Sequence, residues 1–295
     1  MLPREVLKQV RRLQLRARKA VENLLGGEYH SIFKGAGIAF EEVRPYQVGD
    51  DVRSIDWNVT ARMDHPFIKR YIEERERTVI LAVDASASMR FGTGRLSKRE
   101  VAAELAAVLA FSAVSNNDRV GLMLFSDKIE HYLPAKKGPK HVLRVVRDVL
   151  FFEPKSRGTS LGDGLDHLNR VVRRRSIVFL FSDFQGPDHQ RALGRTASRH
   201  ELIAVWLADP RERQMPDVGL AELEDAETGR RLLVDTGSAE LRAAYESQGR
   251  EREEAVRRLL RGAGVDAIEA TTDGRHLDAL VRFFRLRQRQ AMKER

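Results

Sequence analysis

A chain of 295 residues with 42% hydrophobic content is long enough to bury a full core, as one large domain or as one domain with an appendage. It has no cysteine, which excludes disulfides, thiolate metal sites and thiol catalysis and fits a reducing compartment, so a cytoplasmic setting is expected. The formal charge of +9 gathers at the ends: residues 1–25 carry seven basic and two acidic side chains and residues 282–295 six and one, a net +5 each, which leaves the body at −1.

The basic N-terminus lacks the apolar core of a signal peptide. The longest uncharged apolar run, Leu105 to Asn117, falls short of the roughly 20 residues a membrane helix needs, so no span is predicted. Leu2, Val6, Val10, Leu13, Ala17, Ala20 and Leu24 recur every three or four residues, so residues 1–25 are predicted to form a basic amphipathic helix, stopped by Gly26-Gly27. Its cations are read as a solvated face. The alternative use of the basic tails is contact with nucleic acid or an anionic lipid surface.

Residues 26–77 are predicted to form a small β-rich subdomain, with strand-like pieces at Ile38 to Val43 and Phe67 to Ile72 and turns at Arg44-Pro45 and Gly49-Asp50-Asp51. Within it, Asp56 is expected to cap a short helix while Trp57 and Ala61 pack inward. The segment is expected to sit on the main domain as a fixed platform, because residues 69–77 contain no Gly or Pro to act as a linker.

From residue 78 to about 290 the chain alternates between buried strand and helix. Strands are predicted at Thr78 to Val83, Arg119 to Ser126, Ser176 to Ser182, Glu201 to Leu207 and Val265 to Ala270, with an edge hairpin strand at Lys128 to Leu133. Helices are predicted at Ser97 to Asn116, Lys140 to Phe151, Leu161 to Val172, Ala239 to Arg261 and from Arg275 onward, and a hairpin turns at Thr228-Gly229. This alternation specifies an α/β fold with a doubly wound, mostly parallel six-stranded sheet.

The first strand of that sheet ends in DASAS, which puts Asp84, Ser86 and Ser88 at alternate positions on one turn. Carboxylate and hydroxyl are hard oxygen ligands that suit Mg²⁺ or Mn²⁺. In the strand order 3-2-1-4-5-6 the first strand lies beside the strand ending at Ser182, so Asp84 and Asp183 meet where the order reverses, the usual place for a ligand in such sheets. The SRGTSLGDGL loop adds Thr159 from a third segment.

DASAS, RGTS and Asp183 together resemble the metal-ion-dependent adhesion site of von Willebrand factor A domains. The resemblance implies that Ser86 and Ser88 bind the ion directly, that Thr159 binds it directly or through water, and that Asp84 and Asp183 act through water. It also implies one open position that an acidic side chain of a partner fills. One departure is that Asp183 is followed by Phe184 where many members have Gly. The upstream stretch GAGIAFEEVRPYQVGDDVRSIDWNVTAR, with the following DASASM, resembles the bacterial family called domain of unknown function 58. That likeness covers nearly the whole chain and implies a partnership with MoxR-type AAA+ ATPases, the chain serving as adaptor or substrate-presenting module.

Other chemistries find less support. FGTGRLSK at Phe91 to Lys98 does not meet the phosphate-loop pattern and reads as a polar loop with Ser97 capping the next helix. None of the eight histidines stands in HExxH spacing, and no Ser lies in GxSxG. A metal-dependent phosphohydrolase is the enzyme alternative, with Asp163 and Asp166 as further carboxylates; these are expected to cap their helix and face solvent. The chain is therefore expected to be no enzyme but a metal-dependent interaction module.

Overall fold

The computed structural model describes residues 4–24, 39–63, 65–72, 76–156, 158–186 and 189–293. The expected Gly26-Gly27 stop lies outside them. Two compact units divide the chain, one made of residues 1–32 and 78–295, the other of residues 33–77.

In the smaller unit, β1 (Ala39–Pro45) pairs antiparallel with β2 (Phe67–Ile72), with a bulge between Phe40 and Glu42. Arg44 grips Asp50 through two bonds of 2.9 and 2.7 Å, and that pairing, with the Gln47 amide, holds the Asp50 carboxyl below its usual range. Asp56 caps the one-turn helix Trp57–Thr60 by accepting from the amides of Asn58 and Val59. The expectation that Trp57 and Ala61 pack inward is overturned: Trp57 is 67% exposed and Ala61 is exposed. One turn has room for a single buried anchor, and Asp56 is that anchor, its own N–H bonded to Phe67 O at 2.8 Å.

The larger unit opens with helix α1 (Arg4–Leu24), whose residues Val10, Leu13, Ala17 and Ala20 are buried against the helices Lys98–Ser115 and Pro139–Phe151. Part of its basic charge is used internally. Arg16 bonds Glu104 at 2.8 Å, and Arg18 lies over the Phe111 ring at 5.9 Å. At the other end of the chain Arg287 pairs with Glu201 at 2.6 Å and with Asp266 at 3.0 Å.

The central sheet holds β3 (Thr78–Asp84), β4 (Arg119–Phe125), β5 (Ile129–Lys136), β6 (Ile177–Ser182), β7 (Glu201–Ala208) and, after a separate hairpin of β8 (Leu220–Glu224) and β9 (Arg231–Asp235), β10 (Asp266–Thr271). Its spatial order is β10-β7-β6-β3-β4-β5, parallel except for the edge strand β5. Counted along the chain this is the expected 3-2-1-4-5-6 order, with β3 next to β6 at the point of reversal. Val79 to Val83 and the whole of β6 are buried, as strands covered on both faces must be.

The helix Lys98–Ser115, apolar nearly all round, is buried over almost its full length. Ser97 caps it in a reciprocal arrangement with Glu100. A helix that the sequence pattern did not announce, Gln190–Arg199, links β6 to β7. Among the described residues no helix is long and apolar enough to cross a membrane.

Candidate metal centre

Asp84 ends β3 with 1% of its surface exposed. One further ladder bond, from Ala85 N to Phe125 O at 2.7 Å, carries the chain past the strand end before it coils into a single 3-10 turn at Ala87–Arg90. That geometry folds the DASAS residues back on the aspartate. Asp84 Oδ1 accepts from Ser86 N at 2.9 Å, and the two hydroxyls of Ser86 and Ser88 stand 3.1 Å apart. Ser86 is the N-cap of the turn yet makes no side-chain cap bond, so its hydroxyl is not consumed by the backbone.

From the neighbouring strand, Ser182 donates its hydroxyl to Asp84 Oδ2 at 2.9 Å. Asp183 follows, buried, accepting from Lys98 Nζ on Oδ2 at 2.8 Å and from Gln185 N on Oδ1 at 3.3 Å. Phe184 adopts the left-handed backbone, at φ +55°, that glycine takes most easily. A non-glycine residue bears a cost of about 1–2 kcal/mol there. It is offset by burial of the ring in the core and by the bond from Phe184 N to Ser182 Oγ at 3.1 Å.

Thr159 lies on the third loop. Ser160 N bonds Ser126 O at 2.9 Å, one residue past Phe125, the β4 partner of Asp84. The helix that starts there, Leu161–Val171, comes close to β4 at Gly164, where a Cβ would meet the Phe125 ring at 3.0 Å. Asp84, Ser86, Ser88 and Asp183 are thus joined through shared hydrogen bonds and adjacent strand ends. Thr159 reaches the same edge of the sheet on the far side of Phe125, and its hydroxyl donates to Glu227 Oε1 at 3.3 Å.

Asp163 and Asp166 stay out of this crevice. Asp163 accepts from the Ser160 hydroxyl at 2.7 Å in the helix cap, and Asp166 pairs with Arg195 at 2.7 Å on the surface. In the Phe91 to Lys98 loop, Thr93 spends both its amide and its hydroxyl on Asp209, at 2.9 and 2.7 Å.

Burial, and after it the charge of Asp183, pushes the Asp84 carboxyl up to about 7, against the opposing bonds from Ser86 and Ser182. Loss of water around Asp84 thus outweighs the hydrogen bonds that favour its charged form, while Asp183 keeps the Lys98 ammonium as counter-charge. A donor set of carboxylates and hydroxyls without nitrogen or sulfur fits a hard cation of the Mg²⁺ or Mn²⁺ kind.

Three participants escape a reading of local pattern. Ser182 looks like the end of an apolar strand, and its adjacency to Asp183 is the only signal. Lys98 is fully buried although it begins a helix behind a polar loop, and its ammonium bridges Asp183 and, at 2.7 Å, Glu212. Burial pushes its pKa down, but Asp183 and Glu212 outweigh that and hold it above the ordinary lysine value. Glu212, in the short helix Pro210–Arg213, is fixed by Asp209 N at 2.9 Å and Gln185 Nε2 at 3.2 Å.

The doubly wound sheet, with acidic and hydroxyl-bearing loops at its reversal point, has the architecture that the sequence resemblance to von Willebrand factor A domains implies. Residues 42–255 match the family described as "Protein of unknown function DUF58", and the chain belongs to that family. An uncharacterised protein of Mycobacterium tuberculosis is 34% identical over 288 residues, covering 96% of this chain and 90% of that protein. A protein of Paracoccus denitrificans described as lying in the moxR 3′ region is 38% identical over 101 residues, 34% of this chain and 95% of that one. Among solved structures, the VWA domain of SpRpn10 is similar at 14% identity and a TM-score of 0.40, covering 70% of this chain and 94% of that one.

Proposed function

We propose that the chain is a non-catalytic, divalent-metal-dependent protein-interaction module. In this reading Asp84, Ser86, Ser88, Thr159 and Asp183 hold Mg²⁺ or Mn²⁺, and the ion receives an acidic side chain from a partner protein. The observation that carries the reading is the buried carboxylate Asp84, bonded to Ser86 and Ser182 beside Asp183 at the sheet's reversal point. Neutral hydroxyl ligands leave much of an ion's charge unspent, which favours an incoming carboxylate. A phosphohydrolase needs further carboxylates or a free base at the ion; Asp163 is bonded within its helix cap, Asp166 pairs with Arg195, and Lys98 is held as a charged ammonium by Asp183 and Glu212.

The partner class we favour is a MoxR-type AAA+ ATPase, supported by the place of the Paracoccus relative in the moxR 3′ region. A cytoplasmic setting agrees with the absence of cysteine. Capture of such an ATPase from solution by the full chain is expected in Mg²⁺ and lost in EDTA and in Ser86→Ala, while circular dichroism and thermal unfolding of that variant stay close to wild type. Binding untouched by chelation, or phosphate release from a model ester that disappears in Asp84→Ala, would overturn it.

A further inference from the structure

Apolar side chains crowd the outside of the β8–β9 hairpin. Val218, just before it, and Leu220, Leu223, Leu232 and Leu233 within it are all exposed, and of the two strands only Val234 is buried. Among the described residues β8 and β9 pair only with each other, and a two-stranded sheet by itself is marginally stable in water. Opposed residues share a face, so Leu220, Glu222, Glu224, Arg231, Leu233 and Asp235 form one side of the ribbon. Leu220 and Leu233 are 71% and 68% exposed there. Residues 220–235 carry five acidic and two basic side chains, and Arg231 is already paired with Glu224 at 3.1 Å and Glu222 at 3.6 Å. This face is both apolar and acidic, and it fits a cover that is apolar and basic.

The chain carries such a surface at its other end. In the helix His276–Lys293, Arg282, Leu286, Arg289 and Met292 follow at steps of four, three and three and share one exposed face. Arg287 ties that half of the helix to Glu201 and Asp266, which open β7 and β10 at the N-terminal edge of the sheet. The hairpin stands at the C-terminal edge. There Glu227, in its turn, accepts from the Thr159 hydroxyl at 3.3 Å, on the loop that Ser160 N joins to Ser126 O just past the end of β4. The six residues of β10 put about 20 Å of strand between the two edges. One copy therefore does not bring its hairpin onto its own helix, and the match is available only between copies.

We propose that the chain self-associates head to tail: the outer hairpin face of one copy, with Leu220, Leu233, Glu222 and Glu224, docks on Arg282, Leu286, Arg289 and Met292 of the next. This contact needs no metal ion. Hairpin against hairpin would set carboxylate against carboxylate, and helix against helix guanidinium against guanidinium, so the charges disfavour both like pairings. A contact between two different surfaces leaves one of each unfilled at the ends of a pair, so further copies add.

Sedimentation velocity of the full chain, without added metal, reads the assembly. Mean mass should rise with protein concentration in dilute salt and fall toward that of the monomer at about 1 M salt, where screening shortens the reach of exposed charges to about 3 Å. Glu222→Arg with Glu224→Arg should weaken association by more than about a hundredfold, and Arg282→Glu with Arg289→Glu by as much, because each pair sets like charges across the contact. Mixed in equal amounts, the two double variants should associate again, since each then meets the opposite charge. Leu233→Ser leaves every charge in place and should weaken wild-type association about tenfold. Circular dichroism checks that each variant is folded; if a charge reversal is not, an affinity of Leu233→Ser equal to wild type overturns the proposal. A wild type that stays monomeric up to about 1 mM, the weak end of the binding scale, also overturns it. So does association that survives both reversals, or a mixture of folded variants that stays monomeric, since the hairpin and the helix would then not face each other.

Discussion

Lys98→Met is expected to cost about 3–5 kcal/mol of folding stability in metal-free buffer, the usual penalty for removing one partner from a buried ion pair. The ammonium is fully buried between Asp183 Oδ2 and Glu212 Oε1, at 2.8 and 2.7 Å. Methionine fills most of the volume but leaves the Asp183 carboxylate without its counter-charge. Glu212 keeps the Asp209 amide and some access to water, so the loss falls mainly on Asp183. A divalent ion held in the crevice as proposed would supply that carboxylate with a second positive charge. Saturating Mg²⁺ should therefore stabilise Lys98→Met more than it stabilises wild type, because binding to the folded state alone adds to its stability in proportion to affinity. Denaturant unfolding with and without Mg²⁺ reads both effects. A loss below about 1 kcal/mol, the range of exposed pairs, would mean that the ammonium is not compensating a buried charge.

The same lysine shows where sequence reading ends. Strand order and the meeting of Asp84 with Asp183 were legible because apolar runs mark buried strands and the doubly wound topology fixes which strand ends are adjacent. Ser97 was legible as a cap because capping is a local bond between residues three apart. Lys98 and Ser182 were not, since each is buried by a bond to a residue 85 or 98 positions away. No periodicity distinguishes a lysine that opens a helix into solvent from one that opens it into a crevice. The helix Gln190–Arg199 went unread for a different reason: only Ala192, Leu193 and Thr196 of its ten residues are buried, too few to set a period. Trp57 was misplaced because an aromatic residue in a short segment reads as core, whereas the buried anchor there is Asp56.

Asp84→Asn is expected to make the metal-free protein more stable at pH 8 and to remove a pH dependence that wild type shows below neutrality. Burial and the neighbouring Asp183 push the folded carboxyl up to about 7, from an ordinary value of 3.8. Between those two values the folded state holds a proton that the unfolded state has released. The contribution of Asp84 to stability should therefore be greatest below pH 4, fall as the pH rises toward 7, and level off above it, the direction linkage requires when the folded form binds more protons. Three pH units at about 1.4 kcal/mol each give a span of about 4 kcal/mol. Asparagine is nearly isosteric with the protonated acid and retains an oxygen for the Ser86 amide, so the variant should show no such fall. Added Mg²⁺ should flatten the wild-type profile, since a cation takes over the compensation that the proton provides at low pH, and should leave Asp84→Asn unchanged. Subtracting the two profiles cancels every other titrating group, so a difference that stays constant from pH 4 to pH 8 would show that Asp84 is not the strained carboxylate on which the metal reading depends.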